Sequence, residues 1–320
     1  MHVIAAGKYG PLDQLKPMEL PILEPARGEV RVRVVASALN TADYKAVLGI
    51  MKLVHARNFP LVVGYDFSGI IEKLGPDVKN LKIGDEVFGF LSYGPGNRQG
   101  AFAETLDAKV GELALKPSNV SHIKAAAAAT PGLTAIQAIR DQGRLAGKGS
   151  RVLITGVSGG VGSLAVGIAQ RLGASVTCVG SGRGLELARK SGAETTIDRK
   201  TKNIFSEARG PFDVIFDAAG KYRWSQWKAS LKPGGVYVTT LPMLGYFIDA
   251  ITSIFSRTRN RMVMVKSKTA DLRLLGEWLA GGLEVTLDST IPVRDVAKGL
   301  ARLKNGEVVG RVAVDIPNKF

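Results

Sequence analysis

The sequence predicts an α/β protein of two parts, a small barrel-like domain of short strands and a parallel doubly wound sheet. Three observations point there. The first third carries strand patterns punctuated by Gly and Pro, the pattern changes near Ser121, and from Arg151 strands and helices alternate. The chain has 320 residues, 45% of them apolar, enough to bury a large core and, on length alone, to form about two domains.

Across Glu29 to Ala36, Val30, Val32 and Val34 alternate with Arg31, Arg33 and Val35, the period of a strand with one buried face. Pro25-Ala26-Arg27-Gly28, Pro60, Gly64, Gly75-Pro76, Gly84-Asp85, Gly94-Pro95-Gly96 and Lys116-Pro117 mark tight turns. The alanine run Ala125 to Ala129 favours helix and follows Ser118 and Ser121, either of which suits an N-cap. Strands are then expected at Val152 to Thr155, Ser175 to Val179, Thr195 to Asp198, Asp213 to Asp217, Val236 to Thr240 and Met262 to Val265. Helical stretches such as Val161 to Leu172 and Trp224 to Leu231 lie between them, which makes the sheet parallel and doubly wound. Strand signals return at Ser289 to Ile291 and Arg311 to Asp315 and are expected to rejoin the first domain. The expected domains are 1–122 with 287–320, and 123–286. There is no internal repeat or low-complexity tract.

No apolar run approaches the ~20 residues of a membrane span, and the N-terminus lacks the pattern of a secretory signal, so a cytoplasmic location is expected. A single cysteine, Cys178, excludes an intramolecular disulfide and a multi-cysteine metal cage; on its apolar strand it reads as a buried small hydrophobe. The formal charge of +15 and pI near 9.9 favour an anionic partner, whether a phosphorylated cofactor, acidic lipid or nucleic acid.

Gly156-Val157-Ser158-Gly159-Gly160-Val161-Gly162 follows the apolar strand and opens a helix. A phosphate needs close backbone N–H donors and the positive end of a helix dipole, and glycines let the backbone approach. Gly156 is expected to make the turn, Gly159 and Gly160 to approach a pyrophosphate, and Gly162 to let the helix pack on the strand. The spacing is a GxxGxxG variant, so its context carries the assignment. An NAD site places an acid about 20 residues on, to hold the ribose 2′-hydroxyl. Here Val179 is followed by Gly180-Ser181-Gly182-Arg183. A hydroxyl and a guanidinium without a carboxylate favour NADPH, and Arg199 adds a second cation past the third strand. The bland reading of Arg183 and Arg199 is a solvated surface arginine.

From end to end the chain resembles the medium-chain dehydrogenases/reductases, and within them the zinc-independent quinone oxidoreductase branch. The matching stretches are Ala38 to Lys45, Gly64 to Gly69, Gly84 to Val87, Gly100 to Glu104, Pro131 to Ala135 and the glycine turn. The resemblance implies a GroES-like β-barrel catalytic domain, a Rossmann domain and commonly a homodimer. It is strongest to the chloroplast-envelope quinone oxidoreductase homologue type, similar to enzymes that reduce the double bond of α,β-unsaturated carbonyls. Carried over by position, Asn40 is expected near the nicotinamide ribose and Thr134 near the carboxamide, with Thr130, Ala218, Ala219, Gly220 and Thr240 lining the substrate cleft. Where many relatives have a tyrosine after the aspartate of the third strand, Asp198 is followed by Arg199, which strengthens the preference for NADPH.

Zinc-dependent relatives carry a cysteine near position 40, a His-Glu pair in the Gly64 segment and a four-cysteine lobe. Here stand Asn40 and Tyr65-Asp66, with no cysteine in Ser92 to Phe102, and His2, His55 and His122 are scattered, so no metal is expected. Hydride delivery to an activated acceptor needs no metal if a donor steadies the developing oxyanion. Tyr44 and Lys45 are the expected catalytic donors, with water as the alternative; Lys45 also reads as a surface ammonium or a partner of Asp43 or Asp66, and Tyr65 as pocket lining or core.

Leu241 to Lys268 is the least family-like segment. Met243, Leu244, Phe247, Ile248, Ile251, Ile254 and Phe255 recur at helical spacing and lead into Arg257, Arg259, Arg261, Lys266 and Lys268. Such a helix suits an anionic membrane surface, but a roof over the substrate or a dimer contact is the preferred expectation. The expected function is an NADPH-dependent reductase of α,β-unsaturated carbonyls. The alternatives are an NADPH:quinone oxidoreductase and, from another class, a low-turnover NADPH-binding protein associated with membrane or RNA. No aromatic-and-basic motif for nucleic acid is present.

Overall fold

The first strands alternate in direction and the later ones run parallel, as a computed structural model of the chain shows; it describes residues 1–50, 52, 59–93, 99–241 and 245–317. His55, Met243, Leu244 and the Gly94-Pro95-Gly96 turn lie outside the described residues. The elements in chain order are β1 (His2–Ala6), β2 (Leu15–Glu19), β3 (Glu29–Ala38), α1 (Thr41–Val47), β4 (Leu61–Val62), β5 (Asp66–Leu74), β6 (Glu86–Phe90), β7 (Thr105–Lys109) and β8 (Leu113–Leu115). There follow α2 (His122–Ile136), β9 (Arg151–Thr155), α3 (Gly160–Arg171), β10 (Ser175–Gly180), α4 (Arg183–Lys190), β11 (Thr195–Asp198), α5 (Ile204–Glu207), β12 (Phe212–Asp217), α6 (Trp224–Trp227) and β13 (Leu231–Thr239). Last come α7 (Tyr246–Ile254), β14 (Arg259–Met262), α8 (Thr269–Ala280), β15 (Leu287–Pro292), α9 (Val296–Lys304) and β16 (Arg311–Asp315).

Two compact units result. The first comprises Met1–Thr130, Lys266–Gly282 and Leu287–Phe320, and the second Pro131–Val265 with Leu283–Thr286. The sequence-drawn boundaries differ at two places. The first unit runs on into α2 as far as Thr130, and it takes α8, because Gly276 packs on Pro117 and Phe88 and the Asn119 side chain donates to Ala280 O (3.1 Å). Contacts of α8 with β8 decide its unit, and hydropathy along the chain does not reveal them.

In the first unit β3 is central, pairing antiparallel with β5, β7 and β16. It is longer than expected, and its second face is not simply solvated. Arg31 is buried, held by a forked ion pair to Asp107 on β7 (2.8 and 2.9 Å). A guanidinium can leave water only when a carboxylate meets it in this way.

The second unit is a six-stranded parallel sheet of order β11-β10-β9-β12-β13-β14. Leu153, Val179, Ile215, Trp227 and Tyr237 sit in one buried cluster on it. Cys178 on β10 is fully buried, and burial pushes its thiol up to about 12. Ser121 is the residue before α2 that caps it, accepting the Lys124 N–H at 3.3 Å. Two expectations shift. The stretch Trp224 to Leu231 is helical only to Ser230, since Leu231 already pairs with Phe212 as strand. The sixth strand is Arg259–Met262 and not Met262 to Val265, because its register is set by β13, with Thr239 opposite Met262.

Candidate active site

In the second unit the expected cofactor residues gather at one edge. The carboxyl ends of β9, β10, β11, β12 and β13 carry the glycine turn, Ser181 and Arg183, Arg199, Ala218 to Gly220, and Thr240 in turn. Strand order reverses between β9 and β12, and a crevice for a dinucleotide opens at such a switch point. Gly156 has φ 73°, and a Cβ there would meet Ala219 Cβ at 2.8 Å. A Cβ on Gly162 would lie 2.3 Å from Gly156 O, so Gly162 serves close packing of the helix on the turn itself and less on the strand. Ser163 N donates to Gly159 O (2.9 Å), so the N–H groups of Gly160, Val161 and Gly162 precede the first i to i−4 bond and are available to an anion, with Ser158 beside them.

Arg183 opens α4 and is exposed. Arg199 is exposed too, and its N–H donates to Gly180 O (2.9 Å), which sets it beside the end of β10. The loop after β12 is held from below by Asp217, a fully buried carboxylate. It accepts Thr155 Oγ1 (2.5 Å), Tyr222 N (2.8 Å) and the Tyr237 hydroxyl (2.9 Å). Thr240 Oγ1 donates to Ala218 O (3.3 Å), closing the loop from the next strand. Thr134 is buried on α2.

In the first unit the focus is Asp66 on β5, fully buried. Arg311 Nη2 reaches its Oδ2 at 2.5 Å and Asn40 Nδ2 reaches the same oxygen at 2.9 Å, while Thr130 donates through its N–H (2.7 Å) and its hydroxyl to Oδ1. Arg311 also donates to Asn40 Oδ1 (3.0 Å), Leu39 O (2.8 Å) and Ala127 O (2.9 Å). Burial pushes the Asp66 carboxyl above its ordinary value, and the Arg311 guanidinium opposes that rise. Asn40 is the N-cap of α1 and its N–H donates to Asp43 Oδ2 (2.6 Å); Asp43 Oδ1 accepts Gly64 N (2.9 Å). One charged network thus fixes the start of α1, the Gly64 turn and β16 together.

Tyr44 and Lys45 follow on α1, both half-buried. Burial raises the Tyr44 phenol and lowers the Lys45 ammonium. Among the described residues Lys45 pairs with neither Asp43 nor Asp66, whose oxygens the network already occupies. Tyr65 is core: its ring packs edge-on against Tyr93 (4.6 Å) and near Phe90 (6.5 Å). A pocket of about 490 Å³ in this unit is lined by Tyr93, Leu91, Arg31 and Asp107, and none of Asn40, Tyr44, Lys45 or Thr130 lines it. Among the described residues no three His, Cys, Asp or Glu side chains cluster as metal ligands do.

Residues 26–118 match the family model of the alcohol dehydrogenase GroES-like domain, and residues 160–246 that of the zinc-binding dehydrogenases. The chain is 28% identical over 329 residues to the chloroplast envelope quinone oxidoreductase homolog of Arabidopsis thaliana, covering 98% of each. It belongs to the zinc-independent quinone oxidoreductase branch of the medium-chain dehydrogenases/reductases. As a member of that family the chain is an oxidoreductase with a nicotinamide cofactor, a GroES-like domain and a Rossmann-like parallel sheet. The structure of the quinone oxidoreductase from Coxiella burnetii superposes with a TM-score of 0.87 at 26% identity, covering 99% of each chain. The NADPH-dependent alkenal/one oxidoreductase of Arabidopsis thaliana is 38% identical over 223 residues, 66% of this chain and 55% of that protein. The segment matched by the zinc-binding dehydrogenase model has one cysteine, buried Cys178, and no histidine, so that model's name reports kinship and not a ligand set.

Two organising residues of this oxidoreductase escaped the sequence reading. Arg311 gave no signal, since its partner Asp66 is 245 positions away. Asp217 gave one: an acid closing the apolar run Val214-Ile215-Phe216 must find donors if the strand is buried.

Proposed function

We propose that this oxidoreductase uses NADPH to reduce the carbon–carbon double bond of α,β-unsaturated carbonyls. The observation that carries the reading is the pair of exposed guanidiniums, Arg183 and Arg199, at a β10 end that bears no carboxylate. Asp198, at the end of β11, accepts the Lys200 N–H (2.9 Å) and is engaged in its own turn. In this reading Ser181, Arg183 and Arg199 hold the 2′-phosphate, while Gly156, Ser158, Gly159, Gly160, Val161 and Gly162 hold the pyrophosphate. Thr134, Ala219, Gly220 and Thr240 belong to the nicotinamide end. In the first unit, Asn40 and Thr130 each have one side already fixed by Asp66.

Bound NADPH supplies a hydride. The chain's own task is to steady the carbonyl oxygen and deliver a proton. Burial makes the Lys45 ammonium the readier acid and keeps the Tyr44 phenol protonated, so Lys45 gives the proton and Tyr44 the hydrogen bond. The likeness to the alkenal/one oxidoreductase supports the enone substrate, and full-length likeness to quinone oxidoreductases favours quinone reduction as the second reading.

Loss of NADPH absorbance with an enone, with a quinone and with no acceptor tests the choice. Faster turnover of the enone is expected. Turnover of the quinone alone moves the protein to the second reading, and cofactor binding without turnover of either overturns both.

A further inference from the structure

The cavity of about 490 Å³ lies wholly in the first unit. Among the described residues it is bounded by the chain after β2, by β3, by the chain after β6 and by β7. Its size falls within the roughly 300–1,000 Å³ of small-molecule sites. Ile22 and Leu23 line it and are 55% and 72% exposed, while Leu91 and Leu106 line it from within the fold and are buried. Two large apolar side chains thus stand in solvent side by side on a run of chain with no regular structure, at a cavity they help to make apolar.

The polar part of the lining is built around Arg31, which is only 8% exposed. Its Nε and Nη2 grip Asp107 (2.9 and 2.8 Å), and Nη2 also donates to Leu23 O, which ties the apolar wall to β3. Among the described residues Nη1 donates to nothing, so its two N–H groups are open to the cavity that Arg31 lines. The neighbouring acids are turned to their own loops: Glu112 Oε1 accepts the Ser92 N–H (3.0 Å) and Glu29 Oε2 that of Ala26 (3.1 Å). Between apolar walls a hydrogen bond is stronger than in water, so the Nη1 donors gain from a ligand oxygen.

We propose that this cavity is a binding site for an uncharged apolar molecule that carries a carbonyl oxygen, with Arg31 Nη1 as the donor to that oxygen. The lining sets Arg31 and Lys109 against Glu29, Asp107 and Glu112, so there is no excess of positive charge to draw an anion. An ammonium ligand has no acceptor and would leave the Nη1 donors unmet, as would a plain hydrocarbon. A carbonyl meets them without the desolvation that a carboxylate costs.

Equilibrium dialysis of the full chain against acetonaphthone, ethylnaphthalene and naphthoate tests this, with no NADPH present, so that the result is independent of the reading of the reaction. Ethylnaphthalene is the ketone with a methylene in place of its carbonyl, and naphthoate is an anion of similar shape. Saturable binding of acetonaphthone is expected, about tenfold tighter than that of either analogue. Ile22→Asp/Leu23→Asp should weaken it by about tenfold or more, because the apolar wall is lost, while the unfolding midpoint in urea stays unchanged, because both side chains are exposed. Arg31→Met/Asp107→Leu removes the buried charges as a pair, which a fold tolerates better than the loss of one, and should make acetonaphthone and ethylnaphthalene bind alike. Should that variant fail to fold, the analogue comparison and the exposed-wall variant still decide. The proposal is overturned if acetonaphthone binding does not saturate, if ethylnaphthalene or naphthoate binds the wild type as tightly, or if Ile22→Asp/Leu23→Asp binds acetonaphthone undiminished.

Discussion

Asp66 in the first unit and Asp217 in the second are both fully buried carboxylates beneath expected site residues, but their partners differ in kind. Asp66 faces a guanidinium, with Asn40 and Thr130 filling the remaining lone pairs, whereas Asp217 is caged by two hydroxyls and a backbone N–H. The charged arrangement aligns side chains from three distant segments. It also makes each charge dependent on the other, because a buried ion without its partner is far costlier than a lost neutral hydrogen bond. The neutral cage fixes a loop backbone and spreads the load over several donors. At the exposed edge of the second unit stand Arg183 and Arg199, the cations that the proposed function assigns to the 2′-phosphate.

Arg311→Met breaks the contrast most sharply. It should cost about 3–5 kcal/mol in urea unfolding, since Asp66 stays buried and unmatched, and Asp66→Asn on top of it should restore part of the loss. A cost no larger than that of Tyr237→Phe would erase the distinction.

The charged network should also make stability depend on pH through Asp43, whose carboxyl rises from 3.8 to about 7 because burial outweighs the hydrogen bonds from Asn40 and Gly64, with the Asp66 charge adding to the rise. A carboxyl raised on folding binds its proton more tightly in the folded state. Its contribution is therefore complete below the unfolded value and lost as pH climbs through about 7. Compared with Asp43→Asn, the wild type should lose up to about 4 kcal/mol between acid and neutral pH. Parallel unfolding curves for the two across that window would refute the placement of this charge.

At the edge of the second unit, Arg183→Ala should raise KM for NADPH by about 10- to 150-fold, the equivalent of 1.5–3 kcal/mol, and leave NADH nearly unchanged. Arg199→Ala should act in the same direction. Tyr237→Phe removes one neutral donor from Asp217, so about 1 kcal/mol and similar small rises in KM for both cofactors are expected. Prolonged chelation is expected to leave steady-state turnover where it was, and zinc at one per chain with chelator-sensitive turnover would contradict that.

Much of the second unit was legible because its signals are local. An apolar strand, a glycine turn and a helix are consecutive in sequence. The register of β14 was not legible, since an edge strand borrows it from its neighbour. Periodicity showed that α7 has an apolar face and could not say which way it points; the Arg223–Asp249 ion pair decides that from 26 positions away. The Asp66–Arg311 pair spans most of the chain, beyond the reach of any window.

The burial of Cys178 bears on the proposed reduction of conjugated carbonyls. Such compounds are soft electrophiles that alkylate thiolates by conjugate addition, and the thiolate is the reactive form. The only thiol in this chain lies within the sheet, fully covered and with its proton held up to about 12. Under the proposed function, a reactive enone would find no exposed thiolate of this chain's own to alkylate.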